Sequence, residues 1–439
     1  MKKAFIRTMG CQMNVYDSSR MMDILRNLGY EETSEYTEAD LILVNTCHIR
    51  EKASEKVFSE LGRYGQLKKH RPDLIIVVAG CVVQAEGEEL QERATFVDIA
   101  LGPQNYHHLP EKLELIRRKT KKQVIEADFP AQTKFDFLPA PGRQAYSAYL
   151  AIQEGCDRFC SYCVVPYTRG AEYSRPAADI IREAEAMTEA GAKEITLLGQ
   201  NVNAWHGIGT DGKIWRLEDL IPRLAELPKL LRIRFVTSYP SDMTQELLQC
   251  FADYEKLMPY LHLPVQSGSD KVLKAMNRRY TSAEYLDIVY RLKDICPEIA
   301  LSSDFIVGFP GEEDSDFAQT MDLVEKVGFA SSFSFKYSPR PGTPGAAMKG
   351  QIPEKVKAER LDILQALLQS EQKAFNQNCI GKILPVLLEH EGKSQGQLCG
   401  RSPYLQNVNL PADKNLLGTI IPVKITKSTL NSLSGEIAL

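Results

Sequence analysis

Over the first hundred residues, short apolar runs alternate with amphipathic stretches of helical period. Lys3 to Met9, Leu41 to Thr46 and Leu74 to Gly80 have strand length and composition, and each leads through a polar turn into a helical pattern such as Ser54 to Leu67. Repeated βα alternation predicts a parallel sheet covered by helices, hence an α/β class. Phe129 to Ala145, with Pro130, Pro139, Pro141 and Gly142, keeps neither period and reads as a linker. Beyond it, six apolar runs recur between helical patterns: Tyr149 to Ile152, Glu194 to Leu198, Arg232 to Thr237, Tyr260 to Pro264, Leu301 to Val307 and Ser332 to Tyr337. Six βα repeats predict a partial TIM-type (β/α)6 barrel, with its chemistry at the C-terminal ends of the strands. After a long helical pattern from Glu354 to about Asn376 come the short alternating runs Ile383 to Glu389, Tyr404 to Leu410 and Leu417 to Ile425, which predict a small antiparallel β-barrel. The expected domains are residues 1–128, 145–372 and 373–439.

Composition sharpens this picture at few points. A length of 439 residues with 44% apolar content suits about three domains with ordinary buried cores. The opening residues Met1 to Arg7 lack the apolar stretch of a secretion signal, and Leu74 to Val83 is far too short to span a bilayer. A cytoplasmic chain with no membrane contact is expected, in which ten cysteines serve metals or catalysis rather than disulfides. The net charge of -4 argues against a DNA-coating protein. From Lys373 onward, however, seven Lys/Arg face four Asp/Glu, so this segment is +3 and the remainder -7. Small β-barrels bind RNA on their surfaces, although only Phe375 and Tyr404 are available for base stacking in this one.

The cysteines carry the chemistry. Cys156, Cys160 and Cys163 are spaced C-x3-C-x2-C, one thiolate short of a four-iron cluster's complement, which leaves an iron open for a reacting ligand. A zinc site would pair C-x2-C with a second such pair or two His, and none lies nearby. Cys11, Cys47 and Cys81 each fall just past a predicted strand, 36 and 34 residues apart, about one βαβ unit. Loops at the carboxyl ends of parallel strands gather on one edge, so these three should converge there as a joint metal site. Cys250, Cys296, Cys379 and Cys399 show no ligand spacing and are assigned to packing. His107-His108 and Trp205-His206 read as loop residues. Gly308 to Glu312 lacks the P-loop lysine and reads as a helix-opening turn.

The C-x3-C-x2-C segment resembles the radical S-adenosylmethionine (radical SAM) enzymes. Together with Asn45 to Ala53, the run from Gly155 through Val164-Val165-Pro166-Tyr167-Thr168-Arg169-Gly170, and Phe335 to Pro344, it resembles more narrowly the methylthiotransferases of that superfamily, over essentially the whole chain. The resemblance implies two [4Fe-4S] clusters, one on Cys156, Cys160 and Cys163, and an auxiliary one on Cys11, Cys47 and Cys81. It further implies S-adenosylmethionine as cosubstrate and a C-terminal TRAM-like, RNA-binding domain. The implied reaction spends two S-adenosylmethionine molecules to place a methylthio group on C2 of N6-isopentenyladenosine beside a tRNA anticodon. Sister enzymes act on threonylcarbamoyladenosine or on a ribosomal-protein aspartate, and the rival of another class is a non-catalytic iron-sulfur RNA-binding protein.

Polar residues at predicted strand ends are candidates for S-adenosylmethionine: Gln200 and Asn201, Ser238, Gln266 and Ser267, and Asp304, with Tyr162 inside the cluster loop. For RNA, Tyr167, Arg169, Tyr173 and Arg175 follow the cluster loop and Arg278, Arg279 and Tyr280 follow the fourth barrel strand. Arginines can grip phosphates while aromatic rings stack on an extruded base. The expected partners are a tRNA anticodon stem-loop and an external electron donor, with the enzyme itself a monomer.

Overall fold

The computed structural model describes residues 1–47 and 53–438, so His48 to Lys52 of the Asn45 to Ala53 motif lie outside the described residues. The chain forms two compact units. One holds Met1–Gly142 with Glu154–Asp157 and Val164–Tyr173, and the other Arg143–Gln153, Arg158–Cys163 and Ser174–Leu439.

In the first unit six parallel strands, β1 (Lys2–Met9), β2 (Tyr30–Glu32), β3 (Leu41–Thr46), β4 (Ile75–Gly80), β5 (Ile99–Leu101) and β6 (Val124–Glu126), form one sheet in the order β2-β1-β3-β4-β5-β6. Its central strands are apolar on both faces, as a sheet covered on both sides requires, and β3 is wholly buried. Helix α1 (Gln12–Asn27) packs on one face, burying Met21, Met22 and Leu25 with Leu41 and Leu43. Helices α2 (Ala53–His70) and α3 (Cys81–Arg93) cover the other, where Val57, Leu61 and Leu90 meet Ile42, Val44 and Val78. The expected linker is more than a spacer: Lys134 within it is fully buried, and its ammonium pairs with Asp17 at 3.1 Å and Glu154 at 2.8 Å. A proline-rich segment reads as loose until the charges that capture it are known.

The short strands β8 (Gln153–Glu154) and β9 (Tyr173–Ser174) bracket the loop of Cys156, Cys160 and Cys163. In the second unit β7 (Ser147–Ala151), β10 (Glu194–Leu198) and β11 (Arg232–Phe235) make a parallel sheet in the order β11-β10-β7. Strands β12 (Tyr260–His262), β13 (Ala300–Val307) and β14 (Ser331–Lys336) make another, and a parallel bridge from Ile233 to Leu257 leads from one to the next. This is the partial barrel, in two threes. Strands β15 (Ile383–Glu391), β16 (Gln397–Arg401), β17 (Asn407–Pro411), β18 (Ile420–Ser428) and β19 (Ser432–Ile437) close into a barrel that is antiparallel except for the pair β17 and β19.

That closed barrel lies at the start of the partial barrel's strands. Tyr260 and Ala300, at the first positions of β12 and β13, and Ala330 just before β14 share a core with Leu384, Val386, Leu388 and Val408. On β11, buried Arg234 donates to the carbonyls of Pro403 at 2.7 Å and Ser402 at 2.9 Å, while Arg232 donates to those of Pro385 and Arg401. Glu194 on β10 offsets one of the two charges, 3.0 Å from Arg234. The closed barrel therefore floors the partial barrel at the end opposite its C-terminal strand ends.

Candidate active site

Register sets the first trio. Met9, Thr46 and Gly80 stand level across β1, β3 and β4. Cys47 follows Thr46 directly, Cys81 follows Gly80, and Cys11 comes two residues after Met9. Three adjacent strands thus deliver three thiols to one edge, across about 10 Å at the usual strand spacing. Gly80 holds φ of +99°, and a Cβ there would stand 2.3 Å from the Thr46 carbonyl, so only glycine lets the chain turn from β4 straight into α3. Cys81 opens α3 and Cys11 caps α1, so both thiols sit at helix N-termini, where a thiolate is favoured.

Polar support comes from α1. Asn14, fully buried, takes the Cys11 thiol on its Oδ1 at 3.1 Å and donates from Nδ2 to the Thr46 carbonyl at 3.0 Å, tying Cys11 to the end of β3. The Cys11 thiol is drawn down to about 6 by its hydrogen bond with Cys47, against burial and with help from the Arg169 charge. Burial pushes the Cys81 thiol up, and Arg169 opposes that. Arg169 is itself buried, pairing with Asp17 at 2.9 Å and with Glu154 at 2.5 Å. The four charges Asp17, Lys134, Glu154 and Arg169 close on one another, and removing one partner from such a buried set costs about 3–5 kcal/mol.

The donor set is soft and anionic, which suits iron-sulfur chemistry. Among the described residues no three His, Cys, Asp or Glu side chains converge on one point as a single ion would need. A cubane asks for one thiolate on each of three separate irons, so its ligands need not converge on one point.

In the second trio, Cys156 lies in the first unit, its amide donating to the Gly170 carbonyl at 3.2 Å. Cys160 and Cys163 lie in the second unit, joined by a 2.9 Å backbone hydrogen bond. Gly155 has φ of +78°, and a Cβ there would meet the Ala171 carbonyl at 2.0 Å. Phe159, at φ +48°, takes a hydrogen bond on its carbonyl from Asn277, itself at φ +59°. Arg278 lies 3.5 Å from the Cys160 sulfur, held by the Pro264 carbonyl and by Tyr239 and Tyr280, whose ring centres are 4.2 Å and 5.0 Å away. Half-buried Tyr162 packs against Val272, Met276, Phe309 and Tyr337.

The strand-end residues divide. Gln200 and Asn201 offer their amides to Gln153 Oε1, and Asn201 also donates to Asp242 at 2.8 Å. The buried Ser238 hydroxyl has no hydrogen-bond partner among the described residues. Gln266, at φ +74°, exchanges backbone bonds with β13 through Asp304 and Ile306. Ser267 is spent on its own turn, bonding Thr320 and the Ser269 amide. Asp304 faces His262 at 3.6 Å.

Three residues expected to grip RNA face inward instead. Arg169 lies beside the Cys11 and Cys81 thiols and Arg278 beside that of Cys160. Buried Arg175 pairs with Glu183 and the Ala151 carbonyl, each at 2.6 Å. Tyr280 is buried with Arg278, whereas Tyr167, Tyr173 and Arg279 are exposed. Trp205 and His107, read as loop residues, are also buried. Asn14, Asp17, Lys134 and Glu154 escaped sequence reasoning. The available signal was a polar stripe, Asn14, Asp17 and Ser18, on the sheet-facing side of α1.

Residues 150–324 match the family model of the radical SAM superfamily, residues 3–102 that of the uncharacterized protein family UPF0004, and residues 377–438 the TRAM domain. Among solved structures the fold is similar to the radical S-adenosylmethionine methyltransferase TsrM from Kitasatospora setae, with TM-score 0.59 and 12% identity over 91% of this chain and 78% of that one. It is also similar to the cobalamin-dependent S-adenosylmethionine radical enzyme OxsB, with TM-score 0.54 and 12% identity over 84% of this chain and 56% of that one. Fold and cysteine loop together define a radical SAM enzyme. Proteins named tRNA-2-methylthio-N(6)-dimethylallyladenosine synthase from Rickettsia rickettsii, strains Sheila Smith and Iowa, are each 54% identical over 99% of both chains. The chain belongs to that family, the radical SAM tRNA methylthiotransferases, which removes the non-catalytic alternative.

Proposed function

We propose that the protein methylthiolates C2 of N6-isopentenyladenosine next to the anticodon of tRNA, using two S-adenosylmethionine molecules and two [4Fe-4S] clusters. What carries this reading is 54% identity along the full length to synthases named for that nucleoside. The two cysteine trios support it. Cys156, Cys160 and Cys163 would hold the cluster that meets S-adenosylmethionine, and Cys11, Cys47 and Cys81 the auxiliary one. Bound there, these groups would supply an electron, a 5′-deoxyadenosyl radical and sulfur, which an unactivated C–H bond requires.

The chain's own work is placement and charge. Arg169 and Arg278 set fixed cations beside cysteine sulfur, offsetting the burial of thiolate charge. Gln200, Asn201, Ser238, Gln266 and Tyr162 remain the proposed neighbours of S-adenosylmethionine, whereas the Ser267 hydroxyl is taken up by Thr320 and the Ser269 amide. Tyr167 and Arg279, both exposed, are the proposed RNA contacts. Residues 1–128, 145–372 and 373–439 are the proposed auxiliary-cluster, radical and TRAM-like RNA-binding domains. No helix among the described residues is long and apolar enough to cross a membrane. We place the enzyme in the cytoplasm as a monomer fed by an external electron donor.

The test is turnover. Reconstituted protein with reductant, S-adenosylmethionine and an isopentenylated anticodon stem-loop should yield 5′-deoxyadenosine and methylthiolated nucleoside together. Absence of the methylthio product, or its undiminished formation after Cys11, Cys47 and Cys81 are each replaced by Ala, ends the reading.

A further inference from the structure

Strands β12, β13 and β14 run in register, with His262 level with Ser302 and Ser331, Asp304 with Phe333, and Ile306 with Phe335. Side chains alternate along a strand, so His262, Asp304, Phe333, Ile306 and Phe335 share one face. The opposite face holds Leu261, Leu301 and Phe305, all buried, and Phe305 meets Phe329 at the end of the helix Asp314–Val327. That is the helix-covered outside. The shared face is therefore the inside of the partial barrel, above the floor where Tyr260 and Ala300 meet the closed barrel.

Inside, two rings stand uncovered. Phe333 is 55% exposed and Phe335 39% exposed, while the other phenylalanines of these strands and their flanks, Phe305, Phe309 and Phe329, are at most 1% exposed. Apolar rings left open in the reaction chamber of a barrel enzyme point to a ligand. Beside them lies a polar edge: His262 sits edge-on to Phe333 with ring centres 6.4 Å apart, bonds the Ser302 hydroxyl at 3.0 Å through Nδ1, and faces Asp304 at 3.6 Å through Nε2.

We propose that this face is the subsite for the reacting purine, with Phe333 and Phe335 taking the base and its apolar N6 substituent and the Asp304 carboxylate accepting from the N6 hydrogen. The assignment rests on the function proposed above and adds the residues that choose the substrate. Complementarity supports it. A neutral base with an N–H donor beside a branched alkyl group matches a carboxylate set beside aromatic rings, whereas a carboxylate-bearing N6 substituent would meet Asp304 with like charge. His262 orients Asp304 and is a positioning residue.

The experiment measures binding of synthetic anticodon stem-loops that differ only at the N6 position, isopentenylated or unmodified, to the full chain. The wild type should prefer the isopentenylated loop by about tenfold or more, the scale of burying a small branched alkyl group. F333A and F335A should each collapse that preference, weakening the isopentenylated loop far more than the unmodified one, and F333L should keep most of it. Turnover of the isopentenylated loop by the wild type is followed in parallel. If the wild type turns over and both alanine variants retain the full preference, this inference alone falls. If the wild type makes no methylthio product, the functional reading falls and takes the subsite with it.

Discussion

Arg169 and Arg278 show how a single side chain can be misread from composition. Both stand in arginine-aromatic stretches that read as RNA grips, and both turn inward to cysteine sulfur and carboxylates. Direction, not residue type, separates the two uses, and direction depends on partners 15 to 152 residues away, Glu154 and Asp17 in the case of Arg169. His107 is a similar case. Its ring stacks on Phe137 with centres 5.1 Å apart, and its imidazole is pushed down to about 4 by burial first, then by the charges of His108 and Lys134. The unfolded chain takes up that proton near 6.5 and the folded one only near 4. Protons thus favour unfolding across this window: the stability His107 permits is complete above pH 6.5 and declines as pH falls toward 4. H107F, which keeps the stack and removes the proton site, should flatten that part of the curve. Thermal midpoints measured between pH 7 and pH 4 check this, and parallel curves for the two proteins would refute it.

Strands were the elements most readily seen in the sequence. Leu41–Thr46 and Glu194–Leu198 fall where their apolar runs end, because buried parallel strands leave uninterrupted hydrophobic signatures. Strands β16 and β19 were missed: Gln397–Arg401 and Ser432–Ile437 carry Gly400 and Gly435 among polar residues and become strands only by pairing. Glycine at these places is required by approach rather than propensity, since a Cβ at Gly400 would stand 2.2 Å from the Leu387 carbonyl. The cysteine loop is equally constrained. With φ of +78° and a carbonyl 2.0 Å from its missing Cβ, Gly155 cannot accept a side chain without moving the backbone next to Cys156. G155A should cost about 2 kcal/mol or more in a denaturant titration. A midpoint equal to that of the wild type would show that this loop is not held as described.

At the scale of the molecule, the basic C-terminal barrel is proposed to meet RNA and is seen to brace the partial barrel. The +3 charge of residues 373–439 suits RNA, while its core runs continuously into Tyr260, Ala300 and Ala330 of the partial barrel. Ending the chain after residue 376 should therefore do more than weaken RNA binding. It would bare that core and leave Arg232 and Arg234 without the carbonyls that satisfy them. The truncated chain should aggregate or bind a hydrophobic dye at temperatures where the full chain does not, and a truncated protein with an unchanged thermal midpoint would show the floor to be dispensable. The three-part α/β layout and the spacing of the two cysteine trios were legible in the sequence alone, because hydrophobic period and residue spacing are read along the chain. Tertiary structure alone decided that Lys134 and Arg169 lock a buried charge network beside the Cys11 and Cys81 thiols, that Arg278 lies against Cys160, and that Phe333 and Phe335 stand open inside the barrel. Each of those depends on which distant segments meet, and burial, pairing and exposure are properties of the meeting rather than of the residue.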